Sequence, residues 1–134
     1  LKVRFTHNPD FAEGLSTSLR TGLAALPSES AGAVVCLGDM PGVGAALIDR
    51  LIAAFDPVEG RAIVVPTRHG KRGNPVLWGR AFFQEMQVVS GDVGARHLIG
   101  EHAGAVVEIE ADSDGPLLDI DTPEALAAYA ETTP

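Results

Sequence analysis

Two short segments of this chain, Ala33-Val34-Val35-Cys36-Leu37 and Ala62-Ile63-Val64-Val65, carry apolar side chains at every position. Successive side chains of a strand point to opposite faces, so a strand that is apolar throughout has both faces covered, the situation inside a parallel sheet flanked by helices. Between the two segments, Leu47, Ile48, Leu51, Ile52 and Phe55 recur at helical spacing, which predicts an amphipathic helix from Gly44 to Phe55. Strand, helix, strand with a doubly covered sheet implies an α/β three-layer sandwich. In such a sheet, ligands are expected beyond the carboxyl ends of the strands.

The rest of the chain fits the same plan. Asn8-Pro9-Asp10 is a turn signal, after which Leu15, Leu19, Leu23 and Leu26 mark a helix that opens near Ser16 and is closed by Pro27. Thr67 to Asn74 reads as a polar, hairpin-like loop, Pro75 to Trp78 as extended chain and Ala81 to Met86 as a short helix. A further helix is expected from Asp92, as its N-cap, to Gly100, and a strand from Ala105 to Ile109. Leu117 to Ile120 is a short apolar segment ringed by acids, and Thr122-Pro123-Glu124 opens a last helix through Tyr129. Residues 1–134 are thus expected to form one domain. Leu1 to Phe5 alternates like the middle of a strand, so the chain is expected to be part of a longer polypeptide whose upstream strand pairs there. An edge left open by its absence would favour self-association.

Ten Lys and Arg stand against 18 Asp and Glu, a formal net charge of -8, which argues against sequence-independent binding to nucleic acid or an anionic membrane. No apolar run approaches the ~20 residues needed to cross a bilayer. The single cysteine provides neither a disulfide framework nor a thiolate zinc cluster, which suits a reducing cytoplasm, with Cys36 expected as a small core residue.

Several residues could carry chemistry. Asp39, in Gly38-Asp39-Met40-Pro41, follows a buried strand, where it is either a metal ligand or a turn aspartate bonded to its own backbone. In Leu118-Asp119-Ile120-Asp121-Thr122-Pro123-Glu124, alternation puts Asp119 and Asp121 on one side. Their mutual repulsion would be offset by a hard cation such as Mg²⁺, although Asp121 also suits a helix cap. His69, Lys71 and Arg72 gather nitrogen side chains between glycines in an otherwise acidic chain, suited to an anionic ligand or simply to solvent, with Asn74 able to recognise a polar edge. His69 has no partner at zinc-ligand spacing. Asp92 and Arg96 form either an (i, i+4) surface pair or part of a ligand-facing helix start. Ser16 and Ser18 offer hydroxyls that would cap a helix or meet a ligand.

Taken in order, Gly14 to Arg20, Gly38-Asp39-Met40-Pro41, Arg72-Gly73-Asn74-Pro75, Gly91-Asp92-Val93-Gly94-Ala95-Arg96 and Asp119 to Glu124 resemble the MobA-like nucleotidyltransferases, most closely the molybdenum cofactor cytidylyltransferases. The resemblance implies a Rossmann-like sandwich of the nucleotide-diphospho-sugar transferase type. It also implies transfer of CMP from CTP to molybdopterin with release of pyrophosphate, assisted by Mg²⁺. By the same resemblance, Asp39 and Asp121 are the metal-binding and catalytic acids. Ser16 and Ser18 line the nucleotide pocket, and Arg72, Asn74, Asp92 and Arg96 face the substrate. The family's opening strand and glycine-rich phosphate loop have no counterpart in this sequence. Its chemistry rests on positioning and stabilising phosphate charge, so the isolated chain is expected to be inactive. The same fold transferring a guanylyl group from GTP, or serving only as a binding or oligomerisation module, is the competing expectation.

Overall fold

The structure is a computed structural model that describes residues 5–10, 12, 15–36, 40, 42–88 and 96–117, with the backbone alone at 15 and 16. Among the described residues, five strands form one sheet: β1 (Gly32–Val35), β2 (Ile63–Arg68), β3 (Lys71–Arg72), β4 (Val76–Gly79) and β5 (Val106–Glu110). The helices are α1 (Leu15–Ala24), α2 (Ala45–Ala54), α3 (Phe83–Met86) and α4 (Arg96–Glu101). None of the described helices is long and apolar enough to cross a membrane.

The doubly apolar reading of Ala62–Val65 holds: Ile63, Val64 and Val65 are all fully buried. Ile63 and Val65 face a core shared with Val76, Trp78, Leu23 of α1, Met86 of α3, and Leu98 and Ile99 of α4. Val64 points the other way, packing with Leu77 and with Leu51 of α2. This alternation gives the sheet a helical layer on each face, the expected sandwich. Each such side chain contributes about 1.5–3 kcal/mol by leaving water.

The sheet is mixed rather than parallel throughout. β4 lies antiparallel between β1 and β2, while β5 runs parallel to β2 on its other side. The reason is the hairpin within Thr67–Asn74: His69 (φ 55°) and Gly70 (φ 76°) both adopt positive φ, as a two-residue type I′ turn requires, and the chain returns alongside β2. β1 is likewise half-buried rather than enclosed, and among the described residues it pairs only with β4. Cys36, just past the last pair Val35–Val76, is exposed and not a core residue.

Other boundaries shift modestly. The segment from Arg80 begins as a 3-10 turn through Phe82 before α3, and α4 is described from Arg96 onward. The strand expected at Ala105–Ile109 starts and ends one residue later. The expected helix start at Asp92, the strand-like Leu1–Phe5 except its last residue, and the final helix lie outside the described residues.

Candidate functional site

Strands β1, β2 and β5 point the same way, so the chain leaves all three at one edge of the sheet. After β1 it runs into Gly38-Asp39-Met40-Pro41-Gly42, after β2 into the hairpin and Gly73-Asn74, and after β5 into Ala111–Leu117. These three exits touch, backbone to backbone. The Asn74 amide donates to the Pro116 carbonyl at 3.0 Å, and the Gly73 amide donates to Pro66 at 2.9 Å. A Cβ at Gly73 would collide with the carbonyl oxygen of Pro116, and would lie 2.8 Å from its carbonyl carbon. A Cβ at Gly115 would strike the carbonyl oxygen of Gly42. Glycine at both positions therefore lets the loop after β5 lie against the other two. Met40, next to Asp39 in sequence, is buried beside this junction's turn, its carbonyl accepting from the Val43 amide at 3.3 Å.

Charge is organised around the same loops. Asp114 Oδ1 accepts from Arg68 Nε at 3.1 Å and lies 3.2 Å from His69 Nε2. The Arg68 hydrogen bond, aided by the neighbouring His69, holds the Asp114 carboxyl below the usual carboxylate range. Arg68 also donates to the Ala111 carbonyl at 3.0 Å, and Arg72 reaches over β2 to Glu108 at 3.0 Å. Arg50 of α2 donates to the Glu110 carbonyl at 2.8 Å. The hairpin is thus strapped to the loop after β5 by Arg68 and to β5 itself by Arg72, and Lys71 is left exposed with no ion pair among the described residues.

The candidate residues fall into three groups. Arg72 and Asn74 stand at the edge; Arg72 is engaged with Glu108, whereas the Asn74 side-chain amide has no hydrogen-bond partner among the described residues. Ser18 is exposed on α1, where it accepts from Asn8 Nδ2 at 3.0 Å. It lines a groove of about 430 Å³ with Thr6, Asn8, Thr21 and Gly22, none of which belongs to the edge just described. Ser16 lies in the first turn of α1, and Arg96 is exposed at the first residue of α4. Asp39, Asp92 and Asp121 lie outside the described residues. Sequence reasoning overlooked Gly42, Asp114 and Gly115-Pro116. The run Asp112-Ser113-Asp114-Gly115-Pro116 signals a turn, but not which strand that turn meets.

The description "MobA-like NTP transferase domain" matches residues 1–106. The chain belongs to this family. Among its relatives, the molybdenum cofactor cytidylyltransferase of Escherichia coli K12 is 25% identical over 124 residues, covering 91% of this chain and 59% of that protein. The phosphoenolpyruvate guanylyltransferase of Conexibacter woesei is 34% identical over 121 residues, covering 88% and 53%. Rv0371c of Mycobacterium tuberculosis H37Rv superimposes with a TM-score of 0.76 at 30% identity, covering 88% of this chain and 60% of that one. The same protein is also known in complex with manganese, with a TM-score of 0.74. This chain therefore spans just over half to about three fifths of the length of these relatives.

Proposed function

We propose that this chain forms the acceptor-side portion of a Mg²⁺-dependent nucleotidyltransferase that moves CMP from CTP to the terminal phosphate of molybdopterin. The observation that carries this reading is the junction of Gly42, Gly73-Asn74 and Gly115-Pro116, which gathers the flanks of three family motifs at the carboxyl edge of the sheet. Asp39 is three residues from Gly42, a span of at most about 11 Å, and Asp121 is five from Pro116, at most about 18 Å. In this reading the two carboxylates hold one ion, which chain length alone permits. Two carboxylates beside substrate phosphates suit Mg²⁺, whose contribution would be to offset charge on the α-phosphate and the departing pyrophosphate.

In this scheme an ionised phosphate oxygen of the acceptor attacks the α-phosphorus of CTP in line. The new P–O bond forms as the bond to the β-phosphate bridging oxygen breaks, and pyrophosphate leaves with that electron pair. The acceptor oxygen is already ionised, so no general base is required. Ser16 and Ser18 would contact the nucleotide, while Arg72, Asn74, Asp92 and Arg96 would orient the acceptor. The manganese complex of the structurally similar Rv0371c supports a divalent ion in this fold.

Calorimetric titration of the chain with CTP and then GTP, with and without Mg²⁺, tests the reading. Mg²⁺-dependent binding that prefers CTP and disappears in Asp39→Ala is expected; metal-independent binding unaffected by that change would refute the metal assignment. A guanylyl transfer to phosphoenolpyruvate is the second reading, favoured by the higher identity to the Conexibacter woesei protein. It would appear as preference for GTP. Binding of neither nucleotide would favour a non-catalytic module.

A further inference from the structure

Glu85 on α3, Glu101 at the end of α4 and His102 just beyond it hold two carboxylate oxygens and an imidazole nitrogen within 4.8 Å of one another. None of these residues takes part in the edge junction or in the proposed transfer. His102 Nε2 lies 2.8 Å from Glu85 Oε2. The Phe82 ring packs against the imidazole at 4.8 Å between centroids and 58° between planes, so the ring's orientation is set by packing as well as by the carboxylate. The His102 side chain is 29% exposed and that of Glu85 46%, leaving the cluster open to solvent on one side.

We propose that Glu85, Glu101 and His102 form a Zn²⁺ site that ties α3 to the end of α4. One imidazole nitrogen with two carboxylate oxygens is a three-ligand set of the kind that leaves Zn²⁺ a fourth position for water. Mg²⁺ prefers an all-oxygen octahedron, so the imidazole selects against it. Zinc bonds of about 2.0–2.2 Å in a tetrahedron separate neighbouring donors by roughly 3.3 Å, so the existing pair has to open by roughly half an ångström. The exposed Glu85 carboxylate has room to make that movement. The ion takes the place of the proton between Glu85 and His102, and the groups facing the imidazole are Glu85 from α3 and Glu101 from α4.

The test is calorimetric titration of ZnCl₂, with MgCl₂ for comparison, into the untagged, metal-stripped chain. One zinc per chain is expected, with MgCl₂ giving no comparable binding. Glu101→Gln removes a donor from an exposed side chain and should weaken binding about tenfold; His102→Ala should abolish it. Because His102→Ala also removes packing against Phe82, the Glu101→Gln result decides the matter if that variant fails to fold. His69→Ala and Cys36→Ser should leave binding intact. Absence of zinc binding, no change in Glu101→Gln, or loss of binding in either control variant would overturn the proposal.

Discussion

Replacing Gly73 by alanine tests whether the three loop exits are welded as tightly as the structure indicates. The added Cβ meets three atoms of Pro116, with the carbonyl carbon at 2.8 Å and the side-chain Cβ at 2.9 Å, and the carbonyl oxygen closer still. Real Cβ atoms essentially never approach below 3.0 Å, and the obstacle is mostly backbone, so relief requires the strand and the loop after β5 to separate. A shift of roughly half an ångström stretches the Asn74–Pro116 hydrogen bond, now 3.0 Å, to the limit of a useful contact. Overpacking of this kind costs about 1–3 kcal/mol, and the weakened hydrogen bond about 1 kcal/mol more. The expected loss is therefore about 2–4 kcal/mol, read as a fall in the urea midpoint at unchanged slope. Gly22→Ala provides the opposing control. Nothing lies within 4 Å of its added Cβ at this exposed position of α1, so it should stabilise by about 0.5–1 kcal/mol. A Gly73→Ala protein as stable as the parent would refute the contact between these loops and remove the observation on which the proposed function rests.

Leu51→Ala should cost about 2–5 kcal/mol in the same denaturation assay, because Leu51 is fully buried and fills the layer between α2 and β2 beside Val64 and Leu77. The depressed pKa of Asp114 means that its stabilising pairing is fully present above the unfolded-state value near ~3.9 and is lost as pH falls through the lower folded value. Asp114→Asn should flatten that acid limb of the stability curve, and an unchanged limb would rule out the Arg68 pairing as its source. Among the described residues β1 is paired on one side only, so the chain should self-associate through strand pairing. Light scattering across a dilution series should show mass rising with concentration; a constant monomer mass would exclude it.

The layers were legible from sequence because burial on two faces leaves a local mark. Ile63-Val64-Val65 could only be a covered strand or part of a covered helix, and so short an apolar run reads as strand. The direction of β4 was not legible. Pro75-Val76-Leu77-Trp78 has the same composition whether it continues forward or turns back, and only the positive φ at both His69 and Gly70 returns it beside β2. Cys36 misled for a related reason. Its apolar neighbours do not reveal that the pairing with β4 ends one residue earlier, at Val35. The Glu85–His102 contact was equally hidden, since 3.6-residue periodicity describes each short helix separately and says nothing about where two of them meet.

The candidate site shows the same division between motif and register. Arg72-Gly73-Asn74-Pro75 can be recognised from its residues, yet its contact with Pro116 depends on two pairings that share one residue of β2. Thr67 stands opposite Arg72 on one side and Glu110 on the other, and its carbonyl accepts from the Ala111 amide at 2.7 Å. From that common row, the chain needs one residue to reach Gly73 and six to reach Pro116, and the strap from Arg68 to Asp114 folds the longer route back onto the shorter. A slip of one residue in either pairing would turn every side chain of that strand to the opposite face. It would also carry Gly73 away from the Pro116 carbonyl. Thr67, buried and uninformative as a motif, is therefore the residue at which the order of the motifs in sequence becomes their meeting in space.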